Sequence, residues 1–166
     1  MTEFTTWRSL VDGAEISAIP DSEVSRPDDI DNASRTTDDF QGIKIETSVE
    51  WPEIGVEISS QTDNVSRVQV YRVNDEKLMG ETTGLNLSGG DTAIIDLDDN
   101  LQEDTTYSIV GNNPDEDWTT GFTDSDPGFP FVSNDDNLSI VDGAINKTDS
   151  NVRARAFVTV GNVGFD

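Results

Sequence analysis

The chain contains no cysteine and no histidine. These absences exclude disulfide staples, thiol nucleophiles, imidazole general bases and Cys/His zinc centres. Positive charge is nearly missing too: 10 Lys+Arg stand against 34 Asp+Glu, a net charge of -24 over 166 residues, with lysine only at Lys44, Lys77 and Lys147. Such a surplus repels nucleic-acid phosphates and anionic lipid, because unspecific affinity for them comes from Lys and Arg displacing counterions. Nucleic acid and acidic membranes are therefore excluded as main partners. No apolar run approaches the roughly 18 residues that cross a bilayer, so membrane insertion is not expected. Self-repulsion on this scale is tolerated where concentrated salt shortens the Debye length to about 3 Å or less, and composition points to a high-salt environment. The start, Met1 to Arg8, has neither a basic leader nor an apolar run, so no secretory signal is read there and synthesis in the cytoplasm is expected.

What is present divides into two regions. Residues 1–39 read as an N-terminal anchoring arm and acidic linker. Phe4, Trp7, Leu10 and Val11 form either one apolar stripe on a short helix or an extended segment that adds to a neighbour's sheet. Pro20 to Asp39 holds two prolines and seven Asp/Glu with almost no large apolar residue, the composition of a tether.

Residues 40–166 read as a head domain in which the apolar period is two. Ile43 and Ile45, then Ile54, Val56 and Ile58, then Val68 and Val70, and finally Ala154, Ala156, Val158 and Val160 alternate with other residues, as in strands with one dry face. Thr92–Leu97, Thr105–Gly111, Trp118–Phe122, Phe129–Ser133 and Leu138–Ile145 are further strands, separated by turn compositions such as Ser88-Gly89-Gly90 and Asp126-Pro127-Gly128. The expected fold is all-β: an antiparallel sandwich or jelly roll of eight to ten short strands. A six-residue similarity between Ser9–Ala14 and Ser139–Ala144 extends no further and marks no repeat architecture.

Chemistry-bearing patterns are sparse. Acidic clusters at Asp28–Asp31, Asp96–Asp99, Asp115–Asp117, Asp124–Asp126 and Asp135-Asp136 do not match the twelve-residue calcium loop, and they read as solvated loops. The best-placed pair for a structural calcium or sodium ion is Asp124 and Asp126, on a turn stiffened by Pro127-Gly128. No cofactor is called for. A carboxylate pair is all that a glycosidase needs, but among 34 acids some pair always qualifies. Ser/Thr nucleophiles would need a lysine base, and no Ser-x-x-Lys occurs. Five Asn-x-Ser/Thr sequons begin at Asn32, Asn64, Asn86, Asn137 and Asn146. Trp51, Trp118, Tyr71, Tyr107, Phe122, Phe129 and Phe131 supply either sandwich core or a sugar-stacking platform. Phe129-Pro130-Phe131 is the expected exposed tip, since its Pro/Gly surroundings mark a loop.

The run Val68-Gln69-Val70-Tyr71-Arg72-Val73, then Leu78–Thr82, Leu87–Thr92 and Asp104–Val110, together with Trp51–Ile58, resembles the hairpin series of β-sandwich modules in tail, fibre and spike proteins of haloarchaeal tailed viruses and proviruses. The likeness covers about residues 40–165, and carbohydrate-binding sandwiches share the same hairpin logic. It implies a non-enzymatic virion surface protein (capsid turret, spike or tail fibre). The implied state is a homo-oligomer, trimer or pentamer, held to other virion proteins and facing a host S-layer or surface glycan. A carbohydrate-binding module of an envelope complex, and less so a small carboxylate glycosidase, are the alternatives.

Overall fold

The computed structural model describes residues 22–26, 33–37, 39–123 and 126–161. Among them there is no helix, and thirteen strands follow one another: β1 (Glu23–Ser25), β2 (Ala33–Thr37), β3 (Gln41–Thr47), β4 (Trp51–Ile58), β5 (Arg67–Arg72), β6 (Lys77–Thr82), β7 (Thr92–Leu101), β8 (Thr105–Asn112), β9 (Trp118–Phe122), β10 (Phe131–Val132), β11 (Leu138–Ile145), β12 (Asp149–Asn151) and β13 (Phe157–Gly161). A four-stranded sheet in the order β1-β13-β4-β7 packs on a seven-stranded sheet in the order β10-β11-β3-β8-β5-β6, with β12 paired to β11. All the pairings are antiparallel, and β2 with β9 forms a separate two-stranded ribbon. The expected all-β antiparallel sandwich is thus the fold.

The core between the sheets is made by the alternating residues. Ile43 and Ile45 of β3, Val68 and Val70 of β5, and Tyr107 and Ile109 of β8 face Trp51, Ile54, Val56 and Ile58 of β4, Ile95 of β7, and Phe157 and Val160 of β13, all within one continuous buried cluster. Placing β-branched and aromatic side chains on the inner face of a pleated strand buries area without distorting the ladder. Trp118 is also buried in this cluster, and its indole N–H donates to the Asp39 carbonyl at 3.0 Å.

Strands β5 to β8 wind as a Greek key. β5 and β6 form a hairpin, β7 crosses to the small sheet, and β8 returns beside β5. At the crossing, Gly80 lies against the backbone of Asp96, where a Cβ would collide with the Asp96 carbonyl oxygen, and Thr82 Oγ1 donates to the Ile94 carbonyl at 3.1 Å. β6 and β7 thereby close one side of the sandwich. The corner from β7 to β8 is fastened by Tyr107, whose hydroxyl accepts the Gln102 N–H at 2.8 Å, in the manner of a tyrosine corner. The opposite side is tied by Asp135, in the turn between β10 and β11, which accepts the Ser22 hydroxyl at 2.6 Å next to β1.

Four features differ from the sequence expectation, the first being number: thirteen strands form instead of eight to ten, because β1, β2, β6 and β12 are short segments that pair along strands already in place. β1 and β2 fall inside the stretch whose composition marks a tether; each is short and joins an existing strand, β1 along β13 and β2 along β9. The last strand begins at Phe157, later than the Ala154 alternation suggests, because Ala156 turns through φ 63° and hands its backbone to Gly121 and Ser59. Phe129 precedes β10, which is only Phe131–Val132. The arm residues Phe4, Trp7, Leu10 and Val11 lie outside the described residues.

Candidate functional site

The seven-stranded sheet buries one face in the core, and its other face carries the most organised polar arrangement on the described body. Opposite Val68 and Val70, strand β5 turns Arg67, Gln69 and Tyr71 outward, and the register sets them beside Asn112, Val110 and Ser108 of β8. An amide ladder runs across these strands. Arg67 Nε donates to Asn112 Oδ1 at 2.9 Å, Asn112 Nδ2 to Gln69 Oε1 at 3.3 Å, and Gln69 Nε2 to Glu81 Oε1 of β6 at 3.1 Å. Gln69 and Asn112 are buried, so each bond satisfies a group that would otherwise be costly.

The turn between β11 and β12 is laid over the same face. Ser108 Oγ donates to the Lys147 carbonyl at 2.5 Å, Thr148 Oγ1 to Glu76 Oε2 at 2.7 Å, and Lys44 Nζ to Ser150 Oγ at 2.7 Å. These anchors fix the turn, from which the Lys147 ammonium reaches 5.7 Å from the Tyr71 ring centroid and 6.0 Å from that of Phe40. The Arg67 guanidinium lies 5.7 Å from the Phe40 centroid. Beneath, Tyr71, Val110 and Ala144 form a second, small apolar cluster with Phe40 and Leu78 at its rim. Burial pushes the Tyr71 phenol above its usual value, with Arg67 opposing and Glu81 and Glu76 reinforcing. At neutral pH it is a neutral donor.

The residues singled out in the sequence are placed elsewhere. Phe129 and Phe131 are half-buried, pack on the main core and meet edge to face at 5.8 Å, so these rings lie against the sandwich instead of standing proud of it. Asp124 lies outside the described residues; Asp126 is exposed and caps its own turn, accepting the Gly128 N–H at 2.8 Å and that of Phe129 at 3.4 Å. Among the described residues no group of three or more carboxylates is arranged to hold a metal ion. Trp51, Trp118 and Tyr107 are core, and Phe122, stacked under the guanidinium groups of Arg153 and Arg155 at 5.3 and 4.9 Å, is nearly so. Of the aromatics read as a possible platform, Tyr71 alone belongs to the outer face of the large sheet, with Phe40 and Lys147 as partners that no local pattern marks.

The charge distribution has a consistent direction. Among the described residues no Asp or Glu is buried, whereas Arg26, Lys44 and Arg155 are. Arg26 Nε donates to the Phe157 carbonyl at 2.8 Å, and Arg155 Nη1 to Gln41 Oε1 at 2.7 Å. Arg153 and Arg155 also lie over a ring face, while Arg72 and Lys77 pair with Asp75 and Asp99 at partly exposed positions. Compared with family models, curated proteins and solved structures, the chain matches none.

Proposed function

We propose that this chain is a structural surface protein of a haloarchaeal tailed virus, a capsid turret, spike or tail-fibre component that works by assembly and attachment and not by catalysis. In this reading it is made in the host cytoplasm, joins other virion proteins through residues 1 to about 20 as a trimer or pentamer, and presents the sandwich to brine and to the host S-layer or its glycans. The observation that carries the proposal is the sorting of charge: every described carboxylate is at least partly exposed, while buried charged side chains are cations. That arrangement keeps a crowded particle surface hydrated and mutually repulsive where salt screens the repulsion to contact range. Multivalent display then raises weak individual contacts to useful avidity.

Mass spectrometry of virions purified from a haloarchaeal lysate tests this. The chain is expected in fixed stoichiometry to the major capsid protein, and its absence from intact particles overturns the proposal. The amide ladder and rings of the large sheet favour a second reading, a carbohydrate-binding module of an envelope complex. Binding of the isolated protein to S-layer glycans together with absence from particles selects that reading.

A further inference from the structure

We propose that the cluster of Phe40, Arg67, Tyr71 and Lys147 on the outer face of the seven-stranded sheet is a binding site for an acidic saccharide, a sugar chain bearing uronate or sulfate groups. The inference rests on the host-contact part of the reading above and names the ligand class for it. Its basis is an excess of donors. Among the described residues Lys147 Nζ makes no hydrogen bond or ion pair and lies over the Phe40 and Tyr71 rings, Arg67 uses only Nε, and the Tyr71 hydroxyl has no protein partner and reaches solvent although the rest of the residue is buried. By contrast, Arg72 and Lys77 on the same sheet pair with Asp75 and Asp99. The two acids that influence Tyr71 are already engaged by neutral donors, Glu76 by Thr148 and Glu81 by Gln69.

The geometry favours a sugar over a bare anion. Arg67 and Lys147 both lie over the Phe40 ring, 5.7 and 6.0 Å from its centroid, and Phe40 is half-buried, so what the ring leaves exposed is bordered by charged donors. A pyranose offers the complement, an apolar face next to a ring carboxylate or sulfate that can take charge-assisted hydrogen bonds from ammonium and guanidinium. The Arg67 guanidinium is held in advance by Asn112, and the turn that carries Lys147 is fixed at its backbone by Ser108. Less side-chain freedom is then lost on binding. Short-range hydrogen bonds survive strong salt, whereas long-range attraction of anions does not, which suits recognition in brine.

The test titrates the full chain with hexameric galacturonate by calorimetry in about 3 M KCl, beside hexameric galactose, sodium acetate and sodium sulfate. Galacturonate is expected to bind at least about tenfold more tightly than each of the other three. Lys147→Gln, Arg67→Gln and Tyr71→Phe are each expected to weaken it by roughly tenfold, the effect of removing one charge-assisted hydrogen bond. Lys147 is exposed, so its variant retains the fold, which circular dichroism verifies. Equal affinity for the neutral hexamer overturns the proposal, as does equal affinity for acetate or sulfate, or unchanged galacturonate binding by the three variants. Presence of the chain in virions without galacturonate binding overturns this inference and leaves the virion reading standing; binding without presence in virions does the reverse.

Discussion

Two tyrosines on the same sheet offer a matched experiment. Tyr107 is fully buried at the β7–β8 corner and accepts the Gln102 N–H at 2.8 Å, while Tyr71, on the outer face, has a hydroxyl with no partner among the described residues. Replacing either by Phe keeps the ring and removes one oxygen, so no cavity larger than a hydroxyl is made. For Tyr107→Phe the N–H of Gln102 loses its acceptor. Orphaning a buried donor costs roughly 1–3 kcal/mol, and because Gln102 is itself exposed and water can reach it, the lower end applies, about 1 kcal/mol. For a domain of this size that is a fall of roughly 2–4 °C in Tm. Tyr71→Phe breaks no described hydrogen bond and should stay within about 0.5 kcal/mol of wild type. Chemical denaturation and thermal scans of both variants, in the same concentrated KCl, read the difference directly. Equal losses in the two, or a larger loss for Tyr71→Phe, refute the claim that the corner bond fastens β7 to β8 while the outer hydroxyl is idle.

Gly42→Ala should be far costlier, since its Cβ would land on the Ile109 carbonyl oxygen between β3 and β8; a loss of about 3 kcal/mol is expected by urea titration, and a neutral result contradicts that close approach. Asp135 is held down to about 2 by hydrogen bonds from Ser133 first, then Ser22 and the Asn137 N–H. Because its folded value is depressed, its contribution is fully present above the unfolded carboxyl value near 3.8 and is lost as pH falls toward 2. Asp135→Asn should therefore lower stability at neutral pH and flatten the acid limb of the Tm profile between those values, and an acid limb as steep as in wild type counts against the pin between β1 and the β10–β11 turn. Finally, lowering KCl from above 1 M to 0.1 M lengthens screening from about 3 Å to about 10 Å and should lower Tm on the order of 10 °C. An unchanged Tm removes the argument for brine.

The parts of the fold that are legible in sequence are those where one strand face is dry. Ile43/Ile45, Val68/Val70 and Leu138/Ile140 alternate because their partners lie in water or against polar groups, and the strands appear where that period appears. β1, β2 and β12 carry no such period. With three residues and a single valine, or with Ala-Ser-Arg-Thr-Thr, they are strands because an existing edge supplies their hydrogen bonds. β6 is similar: Gly80 serves backbone contact with Asp96, and no alternation announces it. The outer-face cluster is the least legible. Phe40 stands at the start of the head and Lys147 in a turn more than a hundred positions later, and only the register of β3, β8 and β5 with the fold-over of the β11–β12 turn makes them neighbours. Local pattern favours Phe129 and Phe131 because Pro and Gly surround them; in the fold that loop lies back on the core and its rings fill space there.

The pairing of β1 with β13 sets a timetable for synthesis. Glu23 lies opposite Gly161, so among the described residues the first strand of the small sheet finds its only ladder partner in the last one. At roughly 5–20 residues per second on the ribosome, Glu23 waits on the order of ten seconds for that partner. Meanwhile β4 exposes the edge that β13 will cover, an open template for another nascent chain. Mutual repulsion among acidic nascent chains is then a safeguard during translation as well as afterwards. A premature stop anywhere before Phe157 leaves both β1 and β4 unpaired along that line, and the shortened product is destined for clumping or proteolysis.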